Sequence, residues 1–294
     1  MDMEEAAEKA HAIVIRLTTQ QEPADEPYNP NNGRRLTIHN AALAGDLDKV
    51  QQLHAQGVPL DAFTSNGWQP IHFAALSGHL AIVQWLHAQG APLDAAANDG
   101  GQPIHFATHN GHLETVQWLH AQGVPVSAIR TRTGGQPIHD AAHHGHLAIV
   151  QWLHAQGAPL DPAANDGGQP IHHAALVGHL DVVKWLHAQG VPLDVAANDG
   201  QQPIHHATSS GHLAVVQWLH SSGVPVDAAA KSGGQPIHYA IDRGHLDIVD
   251  WLHEQGVSAD DPYLNQPPLR AALSAAGAES WDLRLKRALQ EGGL

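Results

Sequence analysis

The string Gln-Pro-Ile-His occurs six times, at residues 69–72, 102–105, 136–139, 169–172, 202–205 and 235–238. The intervals are 33, 34, 33, 33 and 33 residues, and a degenerate copy ends at His39, 33 residues before His72. Each copy runs on into a short Ala-containing stretch, then Gly-His-Leu, Val-x-Trp-Leu-His and a Gly. The first copy writes Gly45-Asp46-Leu47 and Gln52-Leu53-His54 instead. A chain with such a period is an array of one small unit, whose apolar face only neighbouring copies can cover.

One unit reads as two helices and a finger. Pro70 suits a first helical turn, where its missing N–H costs nothing. Ile71, Ala74 and Ala75 then share a face, and Gly78 ends the helix. Leu80, Ile82, Val83 and Leu86 form the apolar arc of a second helix stopped by Gly90. Residues 94–101, with Asn98, Asp99 and Gly100 in succession, carry turn chemistry and open the next Gln-Pro-Ile-His.

Residues 69–94, QPIHFAALSGHLAIVQWLHAQGAPLD, resemble the ankyrin repeat, whose pattern runs T-P-L-H-x-A-A, then G-H-L, L-L and G-A-D-V-N. The resemblance covers about residues 35–266, seven repeats. It implies an all-α ankyrin-repeat solenoid of helix-turn-helix units with β-hairpin fingers. It also implies a protein-interaction module or scaffold, which binds through the concave surface of first helices and finger tips, without catalysis. Three departures stand out. Gln replaces the family's helix-capping Thr, His87 takes an inner Leu position, and Asp94 stands where the family has Asn. Asparagine hydroxylation at that position therefore does not carry over.

The flanks break the period. Residues 1–18 are predicted as an N-terminal helix with Ala6, Ala10, Ile13 and Leu17 on one side, followed by a polar linker over 19–33. The array then spans 34–268, and 269–294 form a C-terminal capping repeat, since a solenoid end requires a polar outer face.

Composition narrows the class. With no Cys, disulfides, thiolate nucleophiles and Cys-based zinc modules are out. No apolar run approaches membrane-spanning length, and the acidic MDMEEAAEKA start is unlike a secretory signal. A cytoplasmic monomer is expected. Its formal charge of −15 argues against nucleic acid. No P-loop, G-x-S-x-G or H-E-x-x-H motif marks an enzyme. Full protonation of the 26 histidines would carry the charge to +11.

Most of those histidines sort into three ladders, one rung per repeat: His39 and the Gln-Pro-Ile-His set, the Gly-His-Leu set, and the Trp-Leu-His set. The first two are expected to make structural hydrogen bonds. The third, exemplified by His87, falls inside the apolar arc on a helical wheel, which would bury imidazoles that must stay neutral. The tryptophans Trp85, Trp118, Trp152, Trp185, Trp218 and Trp251 are expected to pack between repeats.

Off the ladders, one first-helix position facing away from the core carries Asn40, Phe73, Phe106, Asp140, His173, His206 and Tyr239. One turn on come Leu76, His109, His143 and Leu176. Exposed aromatics beside polar groups are interface material. Arg130 and Arg132, on the one finger carrying an extra residue, offer a basic handle for carboxylate or phosphate. The predicted partner contacts are therefore Phe73, Leu76, Phe106, His109, Arg130, Arg132, Asp140, His143, His173, His206 and Tyr239. A second reading places zinc or nickel on Asp140, His143, His173 and His206, since imidazole and carboxylate suit such ions, or makes the chain pH-responsive. A plain structural spacer is the third.

Overall fold

The computed structural model describes residues 38–257, so the predicted N-terminal helix, linker and C-terminal cap lie outside it. Fourteen helices and no strand occur among the described residues. They are α1 (Ile38–Ala44), α2 (Leu47–Ala55), α3 (Pro70–Leu76), α4 (Leu80–Ala88), α5 (Pro103–His109), α6 (Leu113–Ala121), α7 (Pro137–His143) and α8 (Leu147–Ala155). After them come α9 (Pro170–Val177), α10 (Leu180–Ala188), α11 (Pro203–Ser209), α12 (Leu213–Ser221), α13 (Pro236–Arg243) and α14 (Leu246–Glu254). Two compact units divide after Asn165. None of these helices is long and apolar enough to cross a membrane.

Each unit stacks pairs of helices. First helices pack on first helices, α1 on α3 and α3 on α5, with α9 on α11 and α11 on α13 in the second unit. Second helices form an outer layer that buries only one edge, as Ile82, Val83 and Leu86 do in α4. The fingers fold back on themselves through a single closing backbone bond, such as Ala97 N–H to Gly101 O at 2.9 Å. They then join tip to tip: Asn98 N–H donates to Asn66 O at 3.0 Å and Arg132 N–H to Asp99 O at 3.1 Å. Lys231 N–H meets Asp199 O in the same way in the second unit. One closing bond per finger makes a hairpin-like turn without a strand ladder.

The first histidine ladder is the fastener. His72 Nδ1 accepts the Gln69 N–H at 2.9 Å, and its Nε2–H donates to Ala95 O at 2.9 Å. The ring thus caps its own helix and grips the finger leading to the next unit. His105, His139, His172 and His205 repeat both bonds. The second ladder ties neighbours directly. His79 donates to Leu43 O, His112 to Leu76 O and His146 to His109 O, each within 3.0 Å, taking carbonyls that a helix C-terminus leaves open. Gly111 before such a rung needs its positive φ of 81°, and a Cβ there would meet the His146 ring at 2.7 Å.

The third ladder corrects the helical-wheel expectation. His87, His187 and His253 are exposed, because the outer helices bury only the edge carrying residues such as Leu86. Five rings of this ladder instead stand edge-on to the next tryptophan. His54 meets Trp85, His87 Trp118, His120 Trp152, His187 Trp218 and His220 Trp251, all at 5.5–5.8 Å.

The first ladder, therefore, is the set that must stay neutral, since a proton on Nδ1 would confront an N–H. Burial lowers the His105 and His172 pKa values to about 4, and lowers those of His39, His72 and His205. An unfolded histidine titrates near 6.5, so it takes up protons that the folded one refuses. Stability is then full above that value and falls as pH drops toward 4. We expect the urea midpoint to hold between pH 8 and 7 and to fall steadily below pH 6.5. The loss should be about 1 kcal/mol per strongly shifted rung by pH 5.5. A midpoint equal at pH 7.5 and 5.5 would contradict this account.

Candidate functional site

In the first unit the predicted contact strip is packed rather than open. Phe73, Leu76 and Phe106 are buried, correcting the expectation that they present an exposed apolar strip. The reason lies at the finger bases. Trp68 occupies the place where the next finger has Gly101, and its ring lies 5.2 Å from Phe73 and 4.2 Å from Phe106. Gly101 leaves room for the Phe106 ring, whose Cζ a Cβ there would approach to 2.8 Å. The Leu76 carbonyl takes bonds from Asn110 Nδ2 and His112 Nε2, which seal that turn against α5.

Arg130 is likewise committed. Its guanidinium bonds Asp99 Oδ2 at 2.8 Å and Asp140 Oδ2 at 3.2 Å and lies 5.6 Å from the centre of the Phe106 ring. The extra residue of this finger lies directly after it. Arg130 N–H closes its finger on Gly135 O, one residue further than in the other fingers, which swells the loop at Thr131. Arg130 takes the inward place held by Ala97 one repeat earlier, while Arg132 stands exposed at the tip. The basic handle is therefore Arg132 alone. Burial pushes the Asp140 carboxyl up to about 6 despite the guanidinium beside it. For Asp99, burial also pushes upward, but the Gly101 N–H and Arg130 outweigh it and hold it low.

The histidines predicted to be exposed are half-buried. His109 lies 3.8 Å ring to ring from His144, which itself lies 4.7 Å from His143 and 6.2 Å from His146. Burial, then the neighbouring His144, Arg130 and remaining imidazoles, lower His109 to about 3. His144 Nδ1 also bonds Asp140 O at 3.0 Å, so this patch adjoins the Arg130 clamp. In the second unit His206 stands edge-on to His172 at 5.4 Å and Tyr239 to His205 at 5.6 Å. His173 is half-buried over Gly168.

Of the four metal candidates, Asp140 and His143 belong to the first unit and His173 and His206 to the second. Among the described residues no group of three or more His, Asp or Glu side chains is placed to hold a metal ion.

What stands open is the outward edge of the fingers. Phe63 is 72% exposed and Ile129 57%, and the two hold equivalent finger positions two repeats apart. Neither belongs to the predicted strip. The sequence did carry a signal for them, because Ala96, Ala163, Ala196 and Ala229 fill the same position elsewhere. Trp68 had a similar one, standing where the second, third, fourth and sixth fingers have Gly.

A family model described as ankyrin repeats (three copies) matches residues 5–96, 38–130, 104–199, 138–230 and 171–263. Among solved structures, the crystal structure of the human ASB11 ankyrin repeat domain is similar, with a TM-score of 0.64 and 25% sequence identity. The match covers 75% of this chain and 98% of that one. No curated protein matches the chain by sequence.

The packing yields two expectations. Phe106→Ala should cost about 3 kcal/mol of stability, as emptying a buried aromatic site does; an unchanged urea midpoint would show the ring to be dispensable. Arg130→Ala should cost more at pH 7.5 than at pH 5.5, because Asp140 is charged and in need of a partner only above its shifted pKa. A cost that does not change with pH would sever Asp140 from the clamp.

Proposed function

The chain belongs to the ankyrin-repeat family, and from that premise we propose a non-catalytic protein-recognition module that meets its partner with finger edges. Ankyrin repeats are in general protein–protein interaction modules. The observation that carries the finer reading is the exposure of Phe63 and Ile129, beside the burial of Phe73 and Phe106. Large apolar side chains left in water at matching positions of an otherwise Ala-built edge do nothing for stacking, and they are what a docking partner desolvates. Arg132 at the tip adds a planar, multidentate donor on the same finger. His109, His143 and Asp140 are half-buried on the first helices of the first unit and would add polar contacts there. In the second unit His173, His206 and Tyr239 supply polar contacts on the first helices.

The test is capture of a partner by the intact chain and by a Phe63→Ser/Ile129→Ser variant. Both side chains are exposed, so the variant should melt within about 0.5 kcal/mol of the parent. It should nevertheless recover the partner at least about tenfold less well. Equal recovery would remove the finger edge from the interface. Arg132→Ala should weaken capture by a smaller factor without moving the melting point.

A further inference from the structure

The finger edge of the first unit also has a definite polarity. Along each finger, outward and inward residues alternate. Asp61 and Phe63, Asp94 and Ala96, and Ser127 and Ile129 are exposed, while between them Ala95 and Ala128 are buried and Ala62 is half-buried. Tip-to-tip backbone bonds hold the successive fingers in register. Two acids therefore run beside a row that is large, small and large: Phe63, Ala96, Ile129.

Resting on the finger-edge reading above, we propose that the partner presents a cationic segment with one bulky apolar side chain. That side chain seats over Ala96 between Phe63 and Ile129, with flanking Lys or Arg residues facing Asp61 and Asp94.

Charge supports this occupant. Residues 38–165 contain eight acids against three Lys or Arg. Of the three bases, Lys49 sits on α2 and donates to Gln52 Oε1, and Arg130 is spent on Asp99 and Asp140. Only Arg132 offers a free positive head near the edge, at the far finger. Among the described residues Asp61 and Asp94 have no ion-pair partner. Both side chains are exposed to solvent. Such a field draws in a basic segment and repels an acidic one.

Size agrees. Adjacent fingers follow the spacing of packed helices, about 8–10 Å, so Phe63 and Ile129 stand roughly 16–20 Å apart. The saddle over Ala96 is then wide enough to admit one large side chain. Two carboxylates one finger apart suit basic residues two or four positions apart in an extended segment, which share a face at about 6.6 or 13 Å and whose long side chains take up the difference. The exposed Phe63 face can also stack on a guanidinium.

The test pans a random-peptide phage library against the full chain, then measures the synthesised consensus peptide by fluorescence anisotropy. The expected consensus combines Lys or Arg with Leu, Ile, Phe or Trp, and its affinity falls with salt. Both Phe63→Ser/Ile129→Ser and Asp61→Lys/Asp94→Lys should weaken it roughly tenfold, and the charge-reversed variant should itself select acidic peptides. Circular dichroism of each variant confirms that these exposed changes leave the fold in place. An acidic or uncharged consensus overturns the proposal. So does no enrichment, or a cationic consensus indifferent to Asp61→Lys/Asp94→Lys. If an uncharged or acidic consensus still depends on Phe63 and Ile129, the finger edge stands as the docking surface and only the partner chemistry falls. Binding indifferent to Phe63 and Ile129 removes both.

Discussion

Everything in this fold hangs on an imidazole that makes one bond as an acceptor and one as a donor. In His72 the acceptor nitrogen holds the first turn of its own helix, and the donor holds the finger that follows. Short first helices of seven or eight residues cannot stand alone, since nucleation costs more than so few bonds return. Neither can a finger with one closing bond. The buried ring connects these two weak elements and satisfies backbone groups that stacking would otherwise strand. A lysine or arginine offers no acceptor there, and an apolar residue offers no bond at all.

The period, the element boundaries and the packing face were legible in the sequence because they are written in every repeat. Pro70 and its copies open the first helices, and Ile71, Ala74 and Ala75 line the core as their spacing implies. The third ladder was less legible for a physical reason. A helical wheel shows which residues share an arc, but not how much of that arc a neighbour covers. In the outer layer Leu86 is covered and His87, one position on, is not. Phe73 and Phe106 failed in the opposite sense. Their position does face away from the helix core, yet Trp68 and a finger base close over them, and no single-helix pattern contains that neighbour.

The one irregular interval shows how a repeat array acquires local chemistry. The extra residue at Thr131 lengthens a single finger directly after Arg130, which stands where Ala97 does a repeat earlier. There the guanidinium meets carboxylates from the preceding finger and from its own first helix, with an aromatic face beside it. Arg130 was legible as unusual, but its partners were not. Asp99 lies 31 residues away in sequence, on the preceding finger, where only the stacking of repeats brings it to Arg130, and Asp140 lies ten away on the helix that follows.

An array built on neutral imidazoles ties its surface charge to its stability. The finger edge carries the exposed Asp61 and Asp94, and the first ladder beneath it is intact only while its imidazoles accept backbone N–H groups. Lowering the pH protonates histidines across a chain that carries 26 of them, so its net charge climbs from −15 toward +11. The buried rungs lose their contribution over the same interval. A cationic partner would therefore lose its electrostatic attraction and its folded docking surface together. The two effects separate only by substitution: reversing Asp61 and Asp94 alters attraction with the ladder intact, whereas altering a buried rung such as His105 alters the fold with the edge charge unchanged.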